Sequence, residues 1–253
     1  SLSGIPESLM YLVFDPTNLV SLGAGAAVKY KLARQGIKSL INRRITGALA
    51  GATLEGGLAG ADAVKVQLMD SEKHFGVTDK KYRDVTQKQW FQLVDFCEIH
   101  SIRLMATPFD LDRLGWIKDA GISNFKIASR TVKEDKDLCD KILCLNKPTI
   151  VSTGACNFGE FPFGIAPNIK YLFCVSKYPT YLDDDQLKMM PDNFTNSGYW
   201  GYSDHTIGIA APLKAYLNGA NILEKHYSCD LFSQSSREKG HLGSFDARSL
   251  KQF

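Results

Sequence analysis

No apolar run of about 18 residues occurs in the sequence, so no stretch reads as a membrane-spanning helix, and no leader of secretory type opens the chain. Cysteine is sparse and unpatterned. Cys97, Cys139, Cys144, Cys156, Cys174 and Cys229 show no CxxC spacing, which argues against a zinc finger or a disulfide framework and predicts free thiols in a reducing cytoplasm. Charge of one sign is also lacking: the net +3 is too small to draw nucleic acid, although local Lys and Arg clusters suit phosphorylated small molecules. With 44% hydrophobic and 23% charged residues, disordered and collagen-like chains are excluded as well. What is left is a soluble, enzyme-sized domain. Its 253 residues match the length at which α/β barrels fold as one domain, about 200–250 residues.

Residues 1–36 form an atypical N-terminal segment with an apolar run at 10–14, a turn at Asp15-Pro16 and a Gly/Ala-rich basic stretch at 22–34. That stretch reads as a surface helix with a solvated basic face, or as a membrane-surface or partner-binding element. From residue 37 to 253 a repeating grammar predicts a TIM (β/α)8 barrel. β-prone runs at 37–41, 63–67, 102–107, 124–129, 149–153, 170–176, 199–203 and 222–226 alternate with helical stretches at 46–59, 86–100, 110–120, 133–145, 184–190 and 207–218. In the helix at 86–100, Trp90, Leu93, Val94, Phe96 and Cys97 share one face. Gly60, Gly121 and Gly219 stand where a helix C-terminus calls for positive φ. One unit is short. After Gly154 the density of glycine and proline disfavours a full helix, so a shortened connection is expected after strand 5.

Every strand of a parallel barrel ends at the same face, so polar strand ends converge there. Lys65 and Lys126 lie inside otherwise apolar strands, where a buried ammonium needs an anion. An internal Asp or Glu would serve as that anion. A phosphate suits two lysines accompanied by Ser129, Ser152 and Ser203 better. His205 and His226 close the neighbouring strands 7 and 8 with no zinc-type cysteine nearby, which favours one shared divalent ion with positions left open for water and substrate. Mn²⁺ or Mg²⁺ is the expected metal, with Zn²⁺ as the alternative.

In order along the chain, Gly60-Ala-Asp-Ala-Val-Lys-Val-Gln67, Ala106-Thr-Pro-Phe-Asp110, Phe125-Lys-Ile-Ala-Ser129, Ser152-Thr-Gly154, Cys174-Val-Ser-Lys-Tyr-Pro-Thr180, Gly201-Tyr-Ser-Asp-His-Thr206 and Glu224-Lys-His226 resemble the motifs of the sialic acid synthase (N-acetylneuraminate synthase) family. The resemblance implies a barrel that condenses phosphoenolpyruvate with an N-acetylated amino sugar such as N-acetylmannosamine, giving a nine-carbon 2-keto acid and phosphate. It implies that His205 and His226 hold the metal that polarises the sugar aldehyde for attack by C3 of phosphoenolpyruvate. Water then adds at C2 and phosphate leaves. Lys65, Lys126, Ser129, Ser152 and Ser203 match positions that hold phosphoenolpyruvate, while Gln67, Thr107, Ser176 and Tyr178 match positions near the sugar and the reacting carbons.

The chain departs from the pattern in four places. The family's first strand ends in Ala-Glu-Ile-Gly, for which the nearest counterpart here is 37–45, without the glutamate. Residues 238–244 replace Gly-Pro-Asp-His, keeping His241 and losing the aspartate. The helix after strand 5 is short, and the antifreeze-like C-terminal domain that supplies an arginine across the family's dimer is not in the sequence. These departures define the competing expectation, a diverged barrel that binds phosphoenolpyruvate or sugar without turnover. A homodimer is the oligomer that the resemblance implies, and no nucleic-acid or membrane partner is expected.

Overall fold

The computed structural model describes residues 63–76, 84–99, 103–227, 242–245 and 249, together with the backbone of 9–14. Eight strands among the described residues form a closed, all-parallel barrel in chain order: β1 Leu9–Phe14, β2 Ala63–Leu68, β3 Leu104–Pro108, β4 Phe125–Ile127, β5 Thr149–Ser152, β6 Ile169–Cys174, β7 Gly201–Asp204 and β8 Ile222–Tyr227. β1 closes the ring by pairing with β2 on one side and β8 on the other. The first strand therefore lies within the 1–36 segment that the sequence pattern sets apart, so the barrel begins ahead of residue 37. The expected strand at 37–41, the helix at 46–59, the basic stretch at 22–34, Gly60, Cys229 and His241 lie outside the described residues. Among those residues no helix is long and apolar enough to cross a membrane, and Cys97, Cys139, Cys144, Cys156 and Cys174 are free thiols.

Alternation along the strands builds two cores. Val64, Val66 and Leu68 of β2, Leu104 and Ala106 of β3, Phe125 and Ile127 of β4, and Tyr171 and Phe173 of β6 point outward into the shell beneath the helices. Facing inward, Ala63, Met105, Ile150, Leu172 and Ile222 make a separate apolar plug across the barrel floor. Two residues further along each strand the inward positions are Lys65, Thr107, Ser152, Cys174 and Glu224, joined by Lys126 and Ser203. The floor is thus dry and the layer above it polar.

Four of the outer helices begin where an aspartate caps them. Asp70 accepts from Lys73 N at 3.1 Å to start α1 (Ser71–Phe75), and Asp110 accepts from Arg113 N at 2.8 Å to start α3 (Leu111–Asp119). Between them α2 (Gln87–Ile99) buries Trp90, Leu93, Phe96 and Cys97, and the Trp90 indole donates to the Trp116 carbonyl at 3.1 Å. Gly121 and Gly219 take φ of +71° and +88°, the left-handed conformation expected of them after α3 and after α7 (Ala210–Leu217).

Where one helix is expected at 133–145 there are two, α4 (Ser129–Glu134) and α5 (Lys136–Leu143). Asp135 leaves helical geometry, at φ −138° and ψ 78°, and its carboxylate accepts from Leu138 N, so the break is also the cap of the next helix. The expected 184–190 helix is the single turn α6 (Asp185–Lys188), capped by Asp184.

No helix joins β5 to β6. The connection is fastened by tyrosine hydroxyls instead: Gly159 N donates to Tyr199 Oη at 2.9 Å, and Tyr171 Oη accepts from Phe163 N and donates to the Gly164 carbonyl, both at 3.0 Å. Phe161 packs between the rings of Tyr171 and Tyr199, with centroids 4.9 and 5.1 Å away. The ring also occupies the space where a Cβ on Gly198 would lie, 2.6 Å from Phe161 Cζ. Aromatic packing thereby covers the barrel wall in place of the absent helix.

Candidate active site

The C-terminal mouth of the barrel holds a cavity with an empty volume of about 340 Å³, open to solvent and lined by Lys65, Gln67, Lys126, Ser129, Ser152, Cys174, Tyr178, Ser203, His205, Glu224 and His226 among others. Nine of the expected site residues meet here. The other two lie outside the lining. Thr107 is fully buried one inward position above Met105, and its hydroxyl has no hydrogen-bond partner. Ser176 is exposed at the rim, where a Cβ on Gly154 would come within 2.4 Å of its Oγ.

At the base of the cavity the two lysines converge on a carboxylate that the sequence motifs contain but whose role they leave open. Lys65 Nζ lies 2.9 Å from Glu224 Oε1, and Lys126 Nζ lies 3.1 Å from Glu224 Oε2. Ser203 Oγ donates to Glu224 Oε2 at 2.5 Å, and Lys126 Nζ donates to Ser152 Oγ at 2.7 Å. The internal acidic partner is therefore present, and the lysines do not wait unpaired for a phosphate. The signal for it was the strand period: Ile222, Glu224 and His226 share the inward face of β8, and Ser203 and Glu224 are ladder partners.

Two ammonium groups against one carboxylate leave the base of the site with one net positive charge. Burial alone would push the Glu224 carboxyl up, but Lys126, Lys65 and the Ser203 hydroxyl outweigh it and hold the group well below the usual carboxylate range. Burial brings Lys65 down to about 8, with Glu224 opposing the shift and Lys126 adding to it.

Beside this layer Ser129 Oγ accepts from Gly154 N at 2.9 Å and lies 3.6 Å from Cys174 Sγ. The thiol was not expected in the site. It comes there because Cys174 follows Leu172 on the inward face of β6.

His205 and His226 occupy the next level, with ring centroids 5.5 Å apart, and the Tyr178 ring lies 4.1 Å from His205 and 6.1 Å from His226. His205 Nδ1 is 2.8 Å from the Val175 carbonyl, which can only accept, so this nitrogen carries a proton and Nε2 is the ring nitrogen left for a ligand. Cys174 Sγ lies on the same Nδ1 side, at 3.9 Å. Among the described residues no group of three or more His, Cys, Asp or Glu is arranged to hold a metal. His205 and His226 are the residues that could hold one ion: their rings lie 5.5 Å apart, and the Val175 carbonyl engages His205 from the Nδ1 side.

Residues 55–253 match the model of the NeuB family. An N,N'-diacetyllegionaminic acid synthase of Campylobacter jejuni is 34% identical over 163 residues, covering 60% of this chain and 47% of the relative. A protein of the same name from Legionella pneumophila is 28% identical over 228 residues, covering 76% of this chain and 62% of the relative. The chain thus spans roughly half the length of these relatives. Among solved structures, the N-acetylneuraminic acid synthetase of Leptospira borgpetersenii superposes with a TM-score of 0.75 over 98% of this chain and 82% of the other, at 24% identity, a likeness of fold.

Proposed function

Since this chain belongs to the NeuB family, we propose that it joins phosphoenolpyruvate to an N-acetylated amino sugar of the N-acetylmannosamine type, releasing phosphate and a nine-carbon sialic-acid-type 2-keto acid. The observation that carries the reading is the cage of Lys65, Lys126, Ser152, Ser203 and Glu224 set directly beneath two imidazoles. Glu224 fixes both ammonium groups in place before substrate arrives, so little reorganisation is needed when the anion binds. Lys65 and Lys126 supply the positive charge for the phosphate and carboxylate of phosphoenolpyruvate, the Ser129 and Ser152 hydroxyls stand beside them, and the Ser203 hydroxyl holds the Glu224 carboxylate that positions both lysines. Thr107 offers a buried hydroxyl with no protein partner. Gln67 and Tyr178 line the same cavity and are assigned in this reading to the sugar and the reacting carbons. A divalent ion on His205 and His226, Mn²⁺ or Mg²⁺, would supply Lewis acidity to polarise that aldehyde.

Phosphate release from phosphoenolpyruvate should require an amino sugar and a divalent ion together, and His205→Ala or His226→Ala should abolish it. Release that survives both substitutions contradicts the metal assignment. Thermal stabilisation by phosphoenolpyruvate with no turnover across a panel of hexosamines would instead favour a barrel that binds without reacting.

A further inference from the structure

On the outward face of the same two strands lies a second buried ion pair, which the reaction described above does not use. Asp204 and Lys225 are the last ladder partners of β7 and β8, and each is 1% exposed. Each directly precedes one of the two histidines. Lys225 Nζ is bonded to Asp204 Oδ2 and donates to the Thr206 carbonyl at 2.7 Å. The other carboxylate oxygen, Asp204 Oδ1, accepts from Tyr202 Oη and from Thr206 N, both at 2.8 Å. Residues on both sides of His205 are therefore tied to the residue before His226.

Other elements brace the same joint. Thr180 N donates to the His205 carbonyl at 2.9 Å, and Phe245 N donates to the His226 carbonyl at 2.8 Å. The Phe245 ring lies 4.7 Å from Lys225 Nζ, shielding it from water. Gly243 packs so close that a Cβ there would lie 2.6 Å from the His205 carbonyl oxygen. Covering a charged pair this completely with backbone and aromatic carbon is costly, so stability alone is weak ground for its presence and a role in fixing geometry is the better one.

We infer that Asp204 and Lys225 are positioning residues whose cross-link sets the spacing and orientation of the His205 and His226 imidazoles, and thereby the affinity for a divalent ion. The inference rests on the metal reading proposed above. Both residues border the cavity at the strand ends. Strand alternation nonetheless turns their side chains to the face opposite Ser203 and Glu224, where Asp204 meets the Tyr202 hydroxyl and Lys225 meets the Phe245 ring. They therefore act through the backbone of the two strand ends.

The test is Mn²⁺ binding to the full chain, measured by calorimetry without substrate. The neutral pair Asp204→Asn with Lys225→Met keeps the shapes, and the amide oxygen still accepts from Tyr202 and Thr206, while the tie to Lys225 is lost. It should fold and bind Mn²⁺ about 10- to 100-fold more weakly, the range that outer partners of metal ligands command. If that variant does not fold, Asp204→Glu, which keeps the charges and adds one methylene, should weaken Mn²⁺ binding by at least about threefold. His205→Ala and His226→Ala serve as controls and should abolish binding. Wild-type Mn²⁺ affinity in the folded Asp204 and Lys225 variants, with both histidine controls dead, overturns the positioning role alone. Undiminished binding in the histidine controls overturns the metal reading itself.

Discussion

Lys65 is the residue whose titration reports on the site most directly. Because burial has brought its ammonium down to about 8, the base of the cavity keeps its net positive charge below that pH and loses it above. The KM for phosphoenolpyruvate is expected to stay level through neutral pH and to climb as pH passes about 8. Glu224 opposes the fall in the Lys65 value, so Glu224→Gln should move this alkaline limb to lower pH. The same substitution strands two buried ammonium groups and should destabilise the protein by about 3–5 kcal/mol, visible as a lower Tm. A KM profile whose limb does not move in Glu224→Gln would show that Glu224 does not control the lysines. The two lysines were legible in sequence because charged residues in apolar strands announce themselves. Their counter-ion was passed over, because Glu224 sits at a strand end beside His226, where a polar residue looks like one that simply reaches water until the barrel sets β8 across from β2 and β4.

Among the elements, β7 and β8 carry the most of the site and tolerate the least change. Gly201 opens β7 with so little room that a Cβ would lie 1.8 Å from the Ile222 carbonyl oxygen. Gly201→Ala should therefore force the two strands apart and cost about 3 kcal/mol, measured by chemical denaturation, with Mn²⁺ binding lost alongside. A variant as stable as the parent would mean that the strands can separate without consequence. All seven strands from β2 onward were expected within two residues of each end, because each couples an apolar period to a polar end. β4 is the most overdrawn, an expected 124–129 against an observed three residues, because its final serine turns directly into α4. The first strand was misplaced for the opposite reason. Leu9–Phe14 is wholly apolar and runs into Asp15-Pro16, with no motif residue to mark it as part of the barrel, whereas 37–41 sat one regular interval ahead of β2. The helix break at Asp135 was hidden because an aspartate inside a helical pattern looks like a solvated surface residue until its capping bond is seen.

Taken whole, the molecule is a parallel barrel with an apolar floor, a charged layer above it and an imidazole pair at the mouth, and these three levels follow from the two-residue period of the strands. Chemistry in such a fold sits at the C-terminal face, where side chains from separate strands meet. One departure in the motifs leaves this centre standing: the short connection after β5 is replaced by aromatic packing on the outer wall, away from the cavity. The central claim is that the site forms a carbon–carbon bond between phosphoenolpyruvate and an amino sugar. Its most direct test supplies the protein with phosphoenolpyruvate labelled with ¹³C at C2, a panel of N-acetylated hexosamines and Mn²⁺, and follows the label by NMR. Movement of the label into the C2 hemiketal carbon of a nine-carbon acid, in step with phosphate release, is the predicted result. Label that stays in phosphoenolpyruvate or appears only in pyruvate, with every sugar and metal offered, would contradict it.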